Sequence, residues 1–268
     1  MHWVVCLKQI LDPELPPSEF RLDASGKQAA LGGATLVTSI FDQNALELAL
    51  QCREQWGEGK LTALSFGPAS ATDALRRALS LRADEAIRLR QEEFPELDGY
   101  GTARVLAAAI GKLEPAVDVV FCGREAGDWH GGQVGAFLAA ELGYGYLSFV
   151  VSVRREGDSL RLVRQADDGR EIFDARPPLV LTVTNDEGNL PRLPKVKDNM
   201  LAFRKAIPEW GLGELGLRAE TLAGPNAALE FHGLEISQDD RQCQLIAGQN
   251  SEERAAELVR QLIAMRVL

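Results

Sequence analysis

Apolar positions along the chain follow two rhythms. Short unbroken runs, Trp3–Leu7, Leu61–Phe66, Val117–Cys122 and Leu179–Thr184, are too brief for helices and read as strands buried on both faces. Glu85–Arg90 reads as a further short strand. Between the runs, apolar residues recur at spacings of three and four over Ala45–Cys52 and Thr102–Ile110, which predicts helices with one buried face. Asp42 is placed to cap the first of these, and Ser70–Asp73 precedes another helix in the manner of a capping box. This βαβα alternation predicts an α/β fold with a parallel sheet wrapped by helices. The rhythm changes after the third helix–strand unit. Leu147–Val153, Leu160–Arg164 and Glu171–Asp174 read as a small antiparallel addition, with Asp167-Asp168-Gly169 as a turn. Near the N-terminus, Leu11–Pro17 reads as a loop and Phe20–Lys27 as a hairpin turning at Ser25-Gly26, with Lys8 and Asp12 as a charge pair holding it.

Beyond Asn185 the strand signal stops, and residues 186–250 are rich in Gly, Pro and charge. Glu252–Met265 is again a clear amphipathic helix, with Ala255, Leu258, Leu262 and Ile263 on one face. A structured helix after a long irregular arm predicts an extension that packs on another protein. The expected organisation is therefore an α/β domain over 1–188 and an extension over 189–268.

The segment Gly123–Gly135 (GREAGDWHGGQVG) carries the most chemistry. It follows the Val117–Cys122 strand and opens a helix over Ala136–Leu142. A strand that ends in a glycine-rich loop before a helix offers free backbone N–H groups and the positive end of the helix dipole to an anion. The loop is neither GxGxxG nor GxxxxGK[ST], which removes weight from those two nucleotide-binding classes. A formal charge of −10 argues against nucleic acid as a partner. The four cysteines form no CxxC pair and the three histidines are scattered, so thiols buried in a reducing compartment are expected and a metal site is not. The chain opens directly on a strand, with no leader-like segment and no apolar stretch able to span a bilayer, which predicts a cytoplasmic protein.

Five segments, in order, resemble the electron-transfer flavoprotein β-subunit family over nearly the whole chain. Val5–Asp12 is similar to its V-x-V-K-x-x-x-D strand, Ser39–Glu47 to its N-P-F-D-x-x-A-x-E loop and helix, and Leu64–Pro68 to its strand ending in G-P. Gly123–Gly135 resembles its G-[RK]-Q-A-x-D-x-D-x-x-Q-x-G nucleotide loop, and Thr184–Arg192 the N-x-P-R entry to its partner-recognition loop. The resemblance implies a Rossmann-like adenine-nucleotide fold, paired with a larger α-subunit that holds most of a shared redox-active FAD. It implies AMP bound structurally in this subunit, or, in bifurcating-type members, a second FAD in the same place. It further implies an electron carrier rather than an enzyme, docking a donor flavin dehydrogenase and passing electrons to an acceptor.

Carried onto this sequence, the implied nucleotide-binding residues are Cys6, Ser39, Ile40, Phe41, Asp42, Phe66, Gly123, Ala126, Asp128, His130, Gly131, Gly132, Gln133 and Val134. The implied partner-binding residues are Arg192, Lys195, Val196 and Lys197. The chain departs from the family where Ser39 replaces Asn, Trp129 stands at a position usually small or acidic, and His130 replaces the second aspartate of the loop. His130 could then donate to a phosphate where a carboxylate would repel it. Gly132–Gly135 is closer to the FixA-like, bifurcating-type members. Two other classes compete. An adenylating enzyme of the same superfamily needs an SGGxD-type loop after its first strand, and Cys6–Ile10 has none. A universal-stress-like nucleotide sensor is shorter and lacks the arm after residue 186.

Overall fold

In the computed structural model, all residues are described except 17, 31, 95, 223–226, 228, 230, 231 and 237–242. The end of the Leu11–Pro17 loop and parts of the 186–250 stretch thus lie outside the described residues. The sequence begins in the middle of the sheet. Strand β1 (His2–Cys6) is buried along its whole length. A two-stranded antiparallel ribbon follows, β2 (Gln9–Leu11) with β3 (Leu36–Thr38), and then helix α1 (Ile40–Trp56). Next come β4 (Lys60–Gly67), α2 (Thr72–Ser80), β5 (Glu85–Arg90), α3 (Gly99–Ile110), β6 (Val119–Gly123) and α4 (Val134–Leu142). The second half holds β7 (Gly145–Glu156), β8 (Ser159–Ala166), β9 (Gly169–Ala175), β10 (Leu179–Val183), α5 (Val196–Arg204), β11 (Glu209–Trp210), α6 (Leu212–Leu215) and α7 (Ser251–Ala264).

The nine-stranded sheet runs β11-β5-β4-β1-β6-β10-β7-β8-β9. Helices cover both faces of its centre, so alternate residues of β1 enter different cores. Trp3, Val5 and Leu7 pack with α1 and α2, while Val4 and Cys6 pack with α3 and α4. That double burial is why the strands read as unbroken apolar runs. The antiparallel addition is joined more closely than expected. β7 pairs in parallel with β10 (Leu179↔Gly145, Val180↔Tyr146) before turning antiparallel against β8, so the addition continues the main sheet.

Two local expectations fail, each for its own reason. A 3-10 turn over Ala69–Ala71 winds straight into α2, whose first residue Thr72 already donates its N–H to the Ala69 carbonyl, and no side chain caps the helix. Asp42 lies inside the first turn of α1, not at its cap, which is Ser39.

Part of the predicted extension lies along the sheet's edge. The Arg76 guanidinium donates to the carbonyls of Ala202 (2.5 Å) and Lys205 (2.7 Å), holding α5 on α2. β11 adds a short parallel strand to β5. The buried Arg88 of β5 secures it, bonding Glu209 (3.0 Å), Glu92 (2.9 Å) and the Gly67 carbonyl (3.1 Å). By contrast, α7 buries none of its residues, leaving Leu258, Val259 and Ile263 open to solvent. Among the described residues, no helix is long and apolar enough to cross a membrane.

Candidate functional site

The order β4-β1-β6 creates a crevice at the C-terminal ends of the central strands. The chain leaves β1 toward α1 on one face and leaves β6 toward α4 on the other, and nucleotides bind where connections diverge in this way. Asp42 closes the floor of the crevice. Its Oδ2 accepts from the Lys8 N–H (2.7 Å) just past β1, and its Oδ1 accepts from the Gly123 N–H (2.9 Å) at the end of β6. A carboxylate has lone pairs for both, whereas a cap needs only one, so long-range strapping replaces the predicted local role. Burial pushes the Asp42 carboxyl up to about 7, against the downward pull of those two N–H groups and of Lys8.

Lys8 does not pair with Asp12 as expected. Its Nζ reaches both carboxylate oxygens of Asp128 (2.7 and 2.9 Å) in the glycine loop. Asp12 instead accepts from the Glu14 N–H (3.0 Å) and closes its own turn. A second tie runs from the Gly127 N–H to the buried Ser39 hydroxyl (3.3 Å). Ser39, Asp42, Gly123 and Asp128 are thus brought together, with Phe41 beside them. Further along the loop, the His130 N–H bonds the Ala126 carbonyl (3.0 Å). His130 and Gly132 take left-handed backbone angles (φ +51° and +63°), and Gly131 and Gly132 face solvent. The His130 imidazole lies 3.5 Å from the Glu125 carboxylate. Val134 begins α4, and its cap residue Gln133 caps with no side-chain bond. A Cβ at Gly131 would meet nothing within 4 Å, so the loop has the open space and backbone donors that a phosphate needs.

Several predicted residues stand apart from this knot. Phe66 packs edge-to-face on Phe94 (5.1 Å between centroids) one strand away, and Ile40 is exposed on α1. Cys6 and Cys122 lie buried beneath the crevice. The sequence reading missed a cation held between aromatic rings. The Arg124 guanidinium sits 4.2 Å over Phe41 and 5.6 Å from Phe149, and it also bonds Glu125 (3.0 Å). Phe149 adopts a left-handed backbone angle (φ +56°) that bulky residues avoid, which turns its ring outward. No local motif announces such an angle. Among the described residues the buried Ser65 hydroxyl, at the crevice end of β4, has no hydrogen-bond partner.

On the predicted partner surface, Arg192 has an internal task. Its guanidinium takes both oxygens of the nearly buried Glu47 (2.7 Å each) and also binds Glu54, stapling the segment after β10 onto α1. Arg192→Ala leaves the Glu47 carboxylate without its cation, holding only the Gln51 amide (3.0 Å) and the backbone N–H of residue 192 (3.3 Å). The pair is a third exposed on the arginine side, so water softens the loss, and the expected cost is about 2 kcal/mol in urea unfolding. An unchanged midpoint would show that water replaces the staple. Lys195, Val196 and Lys197 are exposed at the start of α5. Val196, Met200 and Phe203 share one helix face with Leu193 just ahead, forming an open apolar stripe rimmed by cations.

Residues 35–214 match the family described as Electron transfer flavoprotein domain. The electron transfer flavoprotein subunit beta of Thermoanaerobacterium thermosaccharolyticum is 39% identical over 205 residues, 76% of each chain. The subunit of that name from Megasphaera elsdenii is 33% identical over 238 residues, covering 87% of this chain and 84% of its own. CarD of the caffeyl-CoA reductase-Etf complex of Acetobacterium woodii is 32% identical over 228 residues, 85% and 84% of the two chains.

Proposed function

The chain belongs to the electron-transfer flavoprotein β-subunit family, and from that premise we propose that it holds an adenine nucleotide, AMP, in the crevice between β1 and β6. The carrying observation is the strap of Asp42 to Lys8 and Gly123, which fixes the crevice floor under the open Gly131–Gly132 loop. In this reading the loop N–H groups bind phosphate, with Lys8 and Arg124 balancing charge nearby. The nucleotide is structural, holding the loop in place from α1 to α4. The α-subunit pairs with this chain, its contact including the uncovered apolar face of α7. A shared FAD supplies the electron transfer, and this chain shapes its surroundings and the approach of partners. Flavin dehydrogenases that act as donors dock on the stripe Leu193, Val196, Met200 and Phe203, with Lys195 and Lys197 on its rim.

A second reading places FAD in the same crevice. It is favoured by the aromatic-flanked Arg124 and by the relative from a caffeyl-CoA reductase-Etf complex. The test is to purify the chain with its α-subunit, denature the complex and quantify what is released. One AMP and one FAD support the first reading, two FAD and no AMP the second, and no nucleotide attributable to this subunit would reject both.

The docking surface makes its own prediction. Val196→Asp and Met200→Asp alter exposed side chains and should leave unfolding unchanged. Each should lower the rate of electron acceptance from the donor dehydrogenase about tenfold at sub-saturating concentration, since burying an unpaired carboxylate in an interface costs at least 1–3 kcal/mol. Undiminished rates in both variants would move the docking site elsewhere.

A further inference from the structure

Cys6 and Cys122 occupy neighbouring places on the two strands that flank the crevice. β1 and β6 pair in parallel with Val5 opposite Phe121, and the two cysteines are the next residue on each strand. Both side chains enter the same core, the one shared with α3 and α4. In-register neighbours on adjacent strands stand roughly 4.8 Å apart, within the roughly 4.4–6.8 Å Cα separation that disulfides span. The neighbouring Cys6 thiol, together with burial, holds Cys122 well above the usual thiol range. Cys52 differs, since burial alone raises its thiol. Cys6 is the last residue of β1, so its backbone is less constrained than a mid-strand position, and it keeps 8% exposure against 5% for Cys122.

We propose that Cys6 and Cys122 form an oxidisable dithiol, which a peroxide converts into a disulfide strapping β1 to β6 beneath the nucleotide crevice. In the first step the peroxide O–O bond breaks. One oxygen goes to the Cys6 sulfur as a sulfenic acid, and the other leaves as water. In the second step the Cys122 sulfur attacks the Cys6 sulfur, the S–O bond breaks and a second water leaves. The two thiol protons end on the two waters, and the two electrons lost by the sulfurs reduce the peroxide. A bridge between adjacent parallel strands must draw the Cβ atoms together to roughly 3.8 Å, so it stores strain and reopens readily with a dithiol reductant. The raised Cys122 thiol makes the closing step slow at neutral pH and faster as pH rises.

The proposal rests on the crevice reading only for who guards the pair: a bound nucleotide would roof the thiols. The experiment treats the full-length chain, in complex with its α-subunit, with hydrogen peroxide. Free thiols are then alkylated and the protein digested with trypsin without reduction. The expected product joins peptide 1–8 to peptide 113–124, and dithiothreitol separates them. Cys6→Ser and Cys122→Ser should each abolish the joined product. In Cys122→Ser a dimedone-trapped sulfenic acid should remain on Cys6, with an unchanged urea midpoint showing that the variant is folded. Peroxide that yields only separate peptides, unmodified or as sulfinic and sulfonic acids, overturns the dithiol. Stripping the nucleotide should speed cross-linking about tenfold through access. A link that forms equally fast with and without nucleotide upholds the dithiol and counts against the nucleotide's place above it.

Discussion

Replacing Gly123 by alanine is expected to destabilise the fold by about 3–5 kcal/mol and to empty the crevice of nucleotide. A Cβ there would stand 2.9 Å from both the Asp42 nitrogen and the Phe41 carbonyl carbon, and it would also press on the Asp42 carboxylate. Two of these neighbours are backbone atoms at the start of α1, so relief requires moving the helix, and overpacking of that kind costs about 1–3 kcal/mol. Any such shift lengthens the bond from the Gly123 N–H to Asp42, a contact worth about 0.5–1.5 kcal/mol while the carboxyl is neutral and about 1.5–3 kcal/mol once it is charged. Gly131→Ala is the control, because a Cβ at Gly131 meets open space and should change stability by less than about 0.5 kcal/mol. Urea unfolding of both variants, with released nucleotide quantified after denaturation, checks the pair. Equal behaviour of the two alanines would mean that α1 does not lean on Gly123.

Asp42 should make stability fall with rising pH across the weakly acid range. Its folded carboxyl titrates at about 7, above the unfolded value of 3.8, so the folded state binds the proton more tightly. The stabilisation attached to that proton is complete below pH 3.8 and is lost as pH climbs through about 7. The full loss is about 4 kcal/mol, and roughly 2–3 kcal/mol of it falls between pH 5 and pH 8. Asp42→Asn removes the titration and leaves one of the two N–H donors facing an amide NH2, a pH-independent cost of about 1–3 kcal/mol. Wild type should therefore be the more stable protein at pH 5, and its advantage should shrink or invert by pH 8. A stability difference that stays flat from pH 5 to 8 would show that Asp42 does not change its charge in that interval.

The central sheet is legible because burial on both faces leaves an unmistakable trace: β1, β4, β6 and β10 are mostly apolar and buried without alternation. The loop from Gly123 was legible because its glycines and following helix are local features. Asp42 was found, but for the wrong local reason. A carboxyl at the start of a helix looks the same whether it caps that helix or reaches two strands far away in sequence. For Lys8 the sequence offers Asp12, four residues on, while its partner Asp128 belongs to a loop that only the β1–β6 pairing brings near. β11 is two residues long, too short for any periodicity. Its one trace was Arg88, a cation in the middle of a buried strand that needed acids from elsewhere. Phe149 leaves no trace, since its left-handed angle falls where the register of β7 against β10 slips between Leu147 and Val150, a long-range feature.

Strand β10 enters the sheet between β6 and β7, although β7, β8 and β9 all precede it in the chain. The order of synthesis therefore differs from the order in space. When β9 has emerged, β6 and β7 still lack the strand that lies between them, and the β7–β9 meander hangs from α4 without its parallel partner. The Arg124 N–H, at the root of the glycine loop, bonds the Val183 carbonyl at the far end of β10, so this tie of the loop, unlike those to Lys8, Ser39 and Asp42, waits until that strand has slotted in. β10 is in this sense the keystone of the sheet. A growing chain can lay the floor of the crevice from β1, α1 and β6, and the last tie of its loop closes when the last central strand arrives.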